Sequence, residues 1–262
     1  MIKSNIIGII PAHMSSVRFP QKILHPIMNL PMIEHVRRRA ELSTTLNKVY
    51  VATCDKEIAE VISKFGGNVI MTSSSHQNGT SRVAEAIKKI NCSHVVLLQG
   101  DEPLLIPKDI DYFVKKIKNR PLVKAWNAVA NLSDEEELDK NSFVKCSINS
   151  KNRILYCFRR SPGCSNFQKQ KKYIKKILGL IAYRKDFLTE LEKLPESLIT
   201  KYEYIEQMKI IENNIDLFSV ELSQSLPSIN EPNEVSVVID YLKKSNIQKN
   251  ILKNIIENYK AT

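Results

Sequence analysis

Four short apolar runs in the first hundred residues, at 5–10, 48–53, 68–71 and 94–98, alternate with segments whose apolar residues recur every three or four positions. A buried strand followed by an amphipathic helix, repeated, predicts a βαβαβα chain whose strands pair in parallel, because each crossover is a helix. The predicted helical faces are Ile33, Val36 and Ala40 after Pro31, then Ile58, Val61 and Ile62 after Asp55, then Val83, Ala86, Ile87 and Ile90 after Thr80. Asp55 is expected as a helix N-cap and Pro107 in a first helical turn. With 262 residues and no internal repeat, one α/β domain carrying an elaboration is expected rather than two equal domains.

The first run meets Pro11, which cannot donate to a ladder and is expected to end its strand. Ser15, Ser16, Arg18 and Lys22 follow, bringing hydroxyls and two cations to the carboxyl end of a strand, the edge at which open α/β sheets bind ligands. Backbone amides of a loop entering a helix add anion affinity, so the loop suits a triphosphate; the plainer reading is a solvated loop. The fourth run issues into Gln99-Gly100-Asp101-Glu102-Pro103, which sets a carboxylate directly beyond a buried strand, with Gly100 permitting close backbone approach. A cationic loop and an acidic loop at one sheet edge fit Mg²⁺ and phosphate held between them. Read alone, Asp101 is also at home in a turn or cap.

Beyond residue 120 the pattern loosens into expected strands at 123–129, 144–149, 154–158 and 177–183, a substrate-side elaboration. A helix over 202–212, a strand over 215–221 and two C-terminal helices with an apolar stripe of Val235, Val238 and Leu242 complete the reading.

The net charge of +11, from 39 basic and 28 acidic residues, suits nucleic acid, a membrane surface or a small polyanion without choosing among them. Much of it lies in 168–176, where the lysines lack the aromatic interleaving of a single-strand-binding platform; a solvated basic loop or strand edge is favoured. Cys54, Cys92, Cys146, Cys157 and Cys164 form no CxxC pair, which argues against a disulfide framework or zinc site and for a reducing cytoplasm. Pro11 cuts short the apolar core of any signal peptide, and no stretch is long enough to span a bilayer.

Several segments also carry a family resemblance: Ile10-Pro11-Ala12 through Arg18-x-Pro20-x-Lys22, Pro31-Met32-Ile33-x-His35-Val36, Val51-Ala52-Thr53-x-Asp55, Gly79-Thr80-x-Arg82 and Gln99-Gly100-Asp101-Glu102-Pro103. With Arg160-Ser161-Pro162, Gly179-x-x-Ala182-Tyr183-Arg184 and Glu203-x-x-Glu206-Gln207, the chain resembles the 3-deoxy-manno-octulosonate (Kdo) cytidylyltransferases over nearly its whole length.

The resemblance implies a Rossmann-like nucleotidyltransferase core with a mainly parallel sheet and a smaller substrate-side and dimerisation elaboration. The implied layout is a nucleotide-binding half to about residue 120, a sugar-binding and dimerisation half to about 230, and C-terminal helices from 231. It implies a cytoplasmic homodimer that needs Mg²⁺ and joins CMP from CTP to a 2-keto-3-deoxy sugar acid for surface polysaccharide or lipopolysaccharide synthesis. Pro11, Ala12, His13, Ser15, Gly79, Thr80, Arg82 and Gln99 would line the nucleotide side. Arg18 and Lys22 would hold the triphosphate, and Asp101 and Asn230 the metal. Arg160, Tyr183, Glu206 and Gln207 would line the sugar side, although Glu206 and Gln207 are adjacent on a helix and point differently. Plainer readings are surface ion pairs for Arg82 and Arg160 and a core position for Tyr183.

The chain departs from the family's pattern at His13, where an arginine is usual, and at Gln21, Ser81 and Lys176, where glycine, aspartate and histidine are expected. The gravest departure is Asn230, a neutral amide where the family has the second metal carboxylate. Glu231 is the nearest substitute, but in an extended segment it faces the other way. The rival expectations are therefore a working enzyme, a catalytically impaired relative serving as a binding or scaffold protein, and, last, a nucleic-acid binder.

Overall fold

A computed structural model of the chain describes residues 5–257 and divides into two units, one built from the chain's two ends (to 115 and from 226) and one from residues 116–225. The first unit opens with β1 (Ile6–Ala12), a ribbon of β2 (Pro26–Ile27) and β3 (Leu30–Pro31), and α1 (Met32–Glu41). It continues through β4 (Val49–Thr53), α2 (Lys56–Lys64), β5 (Val69–Met71), α3 (Gly79–Ala86) and β6 (His94–Leu98) to α4 (Pro107–Asn119), which begins on the expected proline. The strands stand in the order β5-β4-β1-β6, all parallel, as the alternation requires. Ile6, Ile7, Ile9 and Ile10 of β1 are almost wholly buried, each contributing roughly 1.5–3 kcal/mol. Ile33, Val36 and Ala40 of α1 and Ile58 and Ile62 of α2 are buried as expected, with Val61 at the margin.

Pro11 does not end β1. The strand runs to Ala12, with Pro11 opposite Ala52 and Ala12 opposite Thr53, whereas pairing to β6 stops at Ile9 and Leu97. At Pro11 the strand has a neighbour on one side only, so the missing N–H costs no ladder bond there. The ribbon was not expected either. Met28 and Asn29 between its strands both have positive φ, 46° and 67°, the signature of a tight primed hairpin turn.

The second unit contains β7 (Ala125–Ala130), β8 (Lys145–Ile148), β9 (Arg153–Phe158), α5 (Phe167–Gln170) and the long β10 (Ile174–Arg184). After these come α6 (Lys185–Leu191), α7 (Leu198–Glu203), α8 (Gln207–Glu212) and β11 (Leu217–Glu221). Its strand order is β10-β7-β11-β9-β8, with β10 also pairing β8, so the sheet curls back on itself; only β11 and β7 run parallel. The buried Asn127 side chain donates to the carbonyl of Leu178 (2.9 Å), at the place where the register of β10 slips against β7. The expected helix over 202–212 is two helices, broken at Tyr204, which adopts a left-handed conformation (φ 55°).

The basic segment divides between surface and interior. Lys169, Lys171 and Lys172 are exposed, but Lys175 is buried in β10 against Asn131 and Glu221, and Lys176 pairs with Glu137 at 3.5 Å over the Phe143 ring. None of the five cysteines forms a disulfide, and burial pushes the Cys146 thiol up to about 12. The chain then rejoins the first unit with α9 (Glu234–Lys244), which buries Val238 and Leu242, and α10 (Asn246–Glu257). Among the described residues no helix is long and apolar enough to cross a membrane.

Candidate active site

The first unit holds a cavity of about 580 Å³ at the carboxyl ends of its parallel strands. Its walls come from the loop after β1, the segment between β5 and α3, and the loop after β6. Of the sequence-predicted nucleotide residues, Pro11, Ala12, His13, Ser15, Lys22, Gly79, Arg82 and Gln99 line it, together with Asp101. Thr80 is buried in α3 outside the lining, and Arg18 lies at the exposed face of the loop. Gly100 allows a close approach here: a Cβ would sit 2.7 Å from the end of the Ile23 side chain and 3.3 Å from the carbonyl of Pro11, so a larger residue would have to push Ile23 aside. That contact brings the acidic loop against the basic one.

The charges are organised before any ligand arrives. Lys22 Nζ donates to Asp101 Oδ2 at 2.7 Å and to the carbonyl of Ile229 at 3.1 Å. The Ile229 N–H returns to the carbonyl of Asp101 at 2.9 Å, which ties the segment before α9 to the loop after β6. Arg18 donates to Asn230 Oδ1 at 3.2 Å, and Asn230 Nδ2 donates to Ser228. Arg82, the plainer reading of which was a surface pair, is 4 % exposed and fixed by Thr72 (2.7 Å) and the carbonyl of Ser73 (3.2 Å). His13 bonds Ser15 at 3.0 Å; partial desolvation first, then the Arg82 charge, hold its imidazole below the ordinary histidine pKa, so it is neutral at pH 7.

Asp55 corrects an expectation in part. It is the N-cap residue of α2 as expected, but its side chain makes no cap hydrogen bond; its carboxylate instead accepts the Met14 N–H at 2.8 Å and so fixes the basic loop. Ser81, where the family pattern has aspartate, bonds back to Asn78, which caps α3. His76 and Glu85, which pair at 2.5 Å, were missed; His76 lines the cavity, and the signal available was a polar tract between a strand and a helix.

For magnesium, Asp101 and Asn230 would supply one carboxylate and one amide oxygen from segments joined by the Ile229 bonds, Asn230 standing outside the cavity lining. Among the described residues no group of three or more His, Cys, Asp or Glu could hold a metal ion. That donor set fits magnesium, which takes a carboxylate or two and completes its shell with phosphate and water.

The second unit distributes its predicted residues differently. Arg160 lines a separate cavity of about 430 Å³ with Asn141, Tyr156 and Glu203, and donates to Asn141 at 3.2 Å. Tyr183 is 2 % exposed in β10, Glu206 precedes α8, and Gln207 opens that helix and donates to Asn127 Oδ1 at 3.0 Å; none of these three lines that cavity.

A family model described as "Cytidylyltransferase" matches residues 7–218, which takes in both loops of the charged cavity. The 3-deoxy-manno-octulosonate cytidylyltransferase of Geobacter sulfurreducens is 33 % identical over 250 residues, covering 91 % of this chain and all of that protein. The chain belongs to the 3-deoxy-manno-octulosonate cytidylyltransferase family. The family's Escherichia coli enzyme is 32 % identical over 87 % of this chain and 92 % of its own. A solved structure of CMP:2-keto-3-deoxy-manno-octonic acid synthetase complexed with CTP superposes with a TM-score of 0.86 at 30 % identity, covering 92 % of this chain and 99 % of that one. The Rossmann-like nucleotidyltransferase fold expected from sequence is thereby established, and so is the class of enzyme.

Proposed function

We propose that the chain joins CMP from CTP to 3-deoxy-manno-octulosonate or a close 2-keto-3-deoxy sugar acid and releases pyrophosphate. The observation that carries this reading is the strand-end cavity in which Lys22 and Arg82 stand with Asp101, in a chain of this family. A sugar hydroxyl oxygen forms the new bond to the α-phosphorus, its proton leaves to solvent or base, and the bond to the bridging oxygen breaks. Lys22 and Arg18 meet the charge that grows on the departing pyrophosphate, where fixed cations stabilise the transition state most. To do so, Lys22 trades its bond to Asp101 for one to phosphate, which frees the carboxylate. Asp101 and Asn230 would hold Mg²⁺, which when bound polarises the α-phosphate and acidifies the attacking hydroxyl.

Arg160, Tyr183, Glu206 and Gln207 are proposed for the sugar acid; the planar fork of Arg160 suits its carboxylate. A homodimer is proposed through the second unit, where α7 buries none of its residues and Leu198, Tyr202 and Tyr204 are 69–81 % exposed. Cysteines that form no disulfide fit a cytoplasmic setting. The rival reading, an impaired relative that only binds nucleotide, draws on Asn230 and His13.

The test is pyrophosphate release from CTP with Mg²⁺ and a panel of sugar acids. Release with a 2-keto-3-deoxy acid supports the reading, whereas CTP binding without release across the panel favours the impaired relative. Loss of the dimer on Tyr202→Asp, read by light scattering, tests the assembly; a monomeric wild type refutes it.

A further inference from the structure

Arg39 is wholly buried in α1, and among the described residues no carboxylate hydrogen-bonds to it. Its Nη1 donates to Gln248 Oε1 at 2.7 Å and to the carbonyl of Leu105 at 3.2 Å, while Nε and Nη2 have no hydrogen-bond partner among the described residues. Gln248, 1 % exposed in α10, uses its other atom on the same loop: Nε2 donates to the carbonyl of Leu104 at 2.8 Å. Two buried polar side chains from two helices therefore grip consecutive carbonyls three and four residues beyond Asp101.

Burying a guanidinium without a counter-charge is costly, and burial pulls the pKa of Arg39 down to about 9. Attachment of α10 to α1 does not explain that cost, because Arg38 already donates to the carbonyl of Ile255 near the end of α10 at 2.8 Å. An apolar pair would serve as well for packing alone. What Arg39 and Gln248 add is a hold on backbone oxygens of residues 102–106, the only stretch between Asp101 and α4. On its other side Asp101 is held through its own carbonyl by Ile229.

We infer that Arg39 and Gln248 are positioning residues that fix the Asp101 loop from behind, making α10 a brace for the metal-side carboxylate. The inference rests on Asp101 serving the transfer reaction. Neither residue lines the charged cavity, and both act through the backbone.

Gln248→Glu separates positioning from packing. A glutamate keeps an acceptor for Arg39 and supplies the missing charge, but it removes the donor to Leu104 and sets a carboxylate against that carbonyl. Amide hydrogen exchange of 99–106, measured without nucleotide or metal, should quicken about tenfold or more while the melting temperature stays near that of the wild type. Turnover should fall about tenfold or more, with the sugar-acid KM unchanged, as expected when a reacting group is misplaced by a fraction of an ångström. Gln248→Met, which keeps the bulk and loses both bonds, should show the same faster exchange; it carries the test if the glutamate variant does not fold. Wild-type exchange over 99–106 in a folded variant overturns the inference, as does a fall in melting temperature with turnover intact. The exchange measurement uses no substrate, so it fails independently of the proposed reaction.

Discussion

The charged cavity of the first unit and the predicted sugar-side residues of the second are built in opposite ways. In the first, loops at neighbouring strand ends and the first turn of α3 deliver Lys22, His13, Arg82 and Asp101 to one space, and the bonds of Lys22 and Arg18 run among the proposed functional groups themselves. In the second, Arg160, Tyr183 and Gln207 come from separate elements, and each meets a local structural partner or the core first. On the proposed reading, phosphate handling belongs to a preorganised charge network, whereas sugar recognition falls to residues that also maintain their own unit. Substitutions should therefore separate cleanly in the first case and mix binding with stability in the second.

The largest expected effect is at Asp101. Asp101→Asn should lower turnover about a hundredfold or more, the scale of losing preorganised charge stabilisation, with little change in melting temperature. Retained turnover would remove Asp101 from the metal side. Next is Lys22→Ala, which should raise the CTP KM about tenfold or more while leaving the sugar-acid KM in place, since a charge-assisted bond is lost and Asp101 is left unneutralised beside the phosphates. Equal effects on both substrates would break the contrast between the two regions.

In the second unit, Arg160→Ala should raise the KM for the sugar acid without touching that for CTP. Gln207→Ala should do so as well, but at a stability loss of roughly 1–3 kcal/mol, because the buried Asn127 Oδ1 loses its donor. A Gln207 variant with unaltered melting temperature would show that the mixing of roles is absent. The smallest effect concerns His13. Its lowered pKa leaves it neutral at pH 7, and protonation as pH falls adds a cation to the cavity. The CTP affinity ratio of wild type to His13→Ala should grow as pH falls below about 6.5, the ordinary histidine value beneath which burial and Arg82 hold this imidazole, whereas His13→Arg should flatten that dependence. A ratio independent of pH would place His13 away from the phosphates.

The parallel core was legible because apolar runs and helical faces are local patterns: β6 falls on the expected 94–98 and α1 buries the expected stripe. The ends of elements were less so. Pro11 continues β1 because a neighbouring strand stops first, and Tyr204 breaks a helix that periodicity alone would continue, both consequences of context rather than composition. The cationic and acidic loops could be read from residue types at strand ends. The roles of Asp55, Arg39 and Gln248 could not, since each depends on a backbone group far away in sequence. Lys175 was hidden for the same reason: a lysine run reads as surface until Glu221 on another strand is placed beside it.

Asn230 bears on the central claim, that Asp101 and Lys22 form one metal- and triphosphate-binding centre. Asn230→Asp should lower the Mg²⁺ needed for half-maximal rate several-fold, since a second carboxylate adds direct attraction in a partly desolvated site. The most direct measurement is calorimetric CTP affinity with and without Mg²⁺ for wild type and Asp101→Asn. Without metal, the variant should bind CTP as tightly as wild type or tighter, because Lys22 is released from its 2.7 Å pair and a negative charge is gone. With metal, wild type should gain affinity and the variant should gain little, so the order of the two proteins reverses. The same Mg²⁺ enhancement in both proteins would contradict the account.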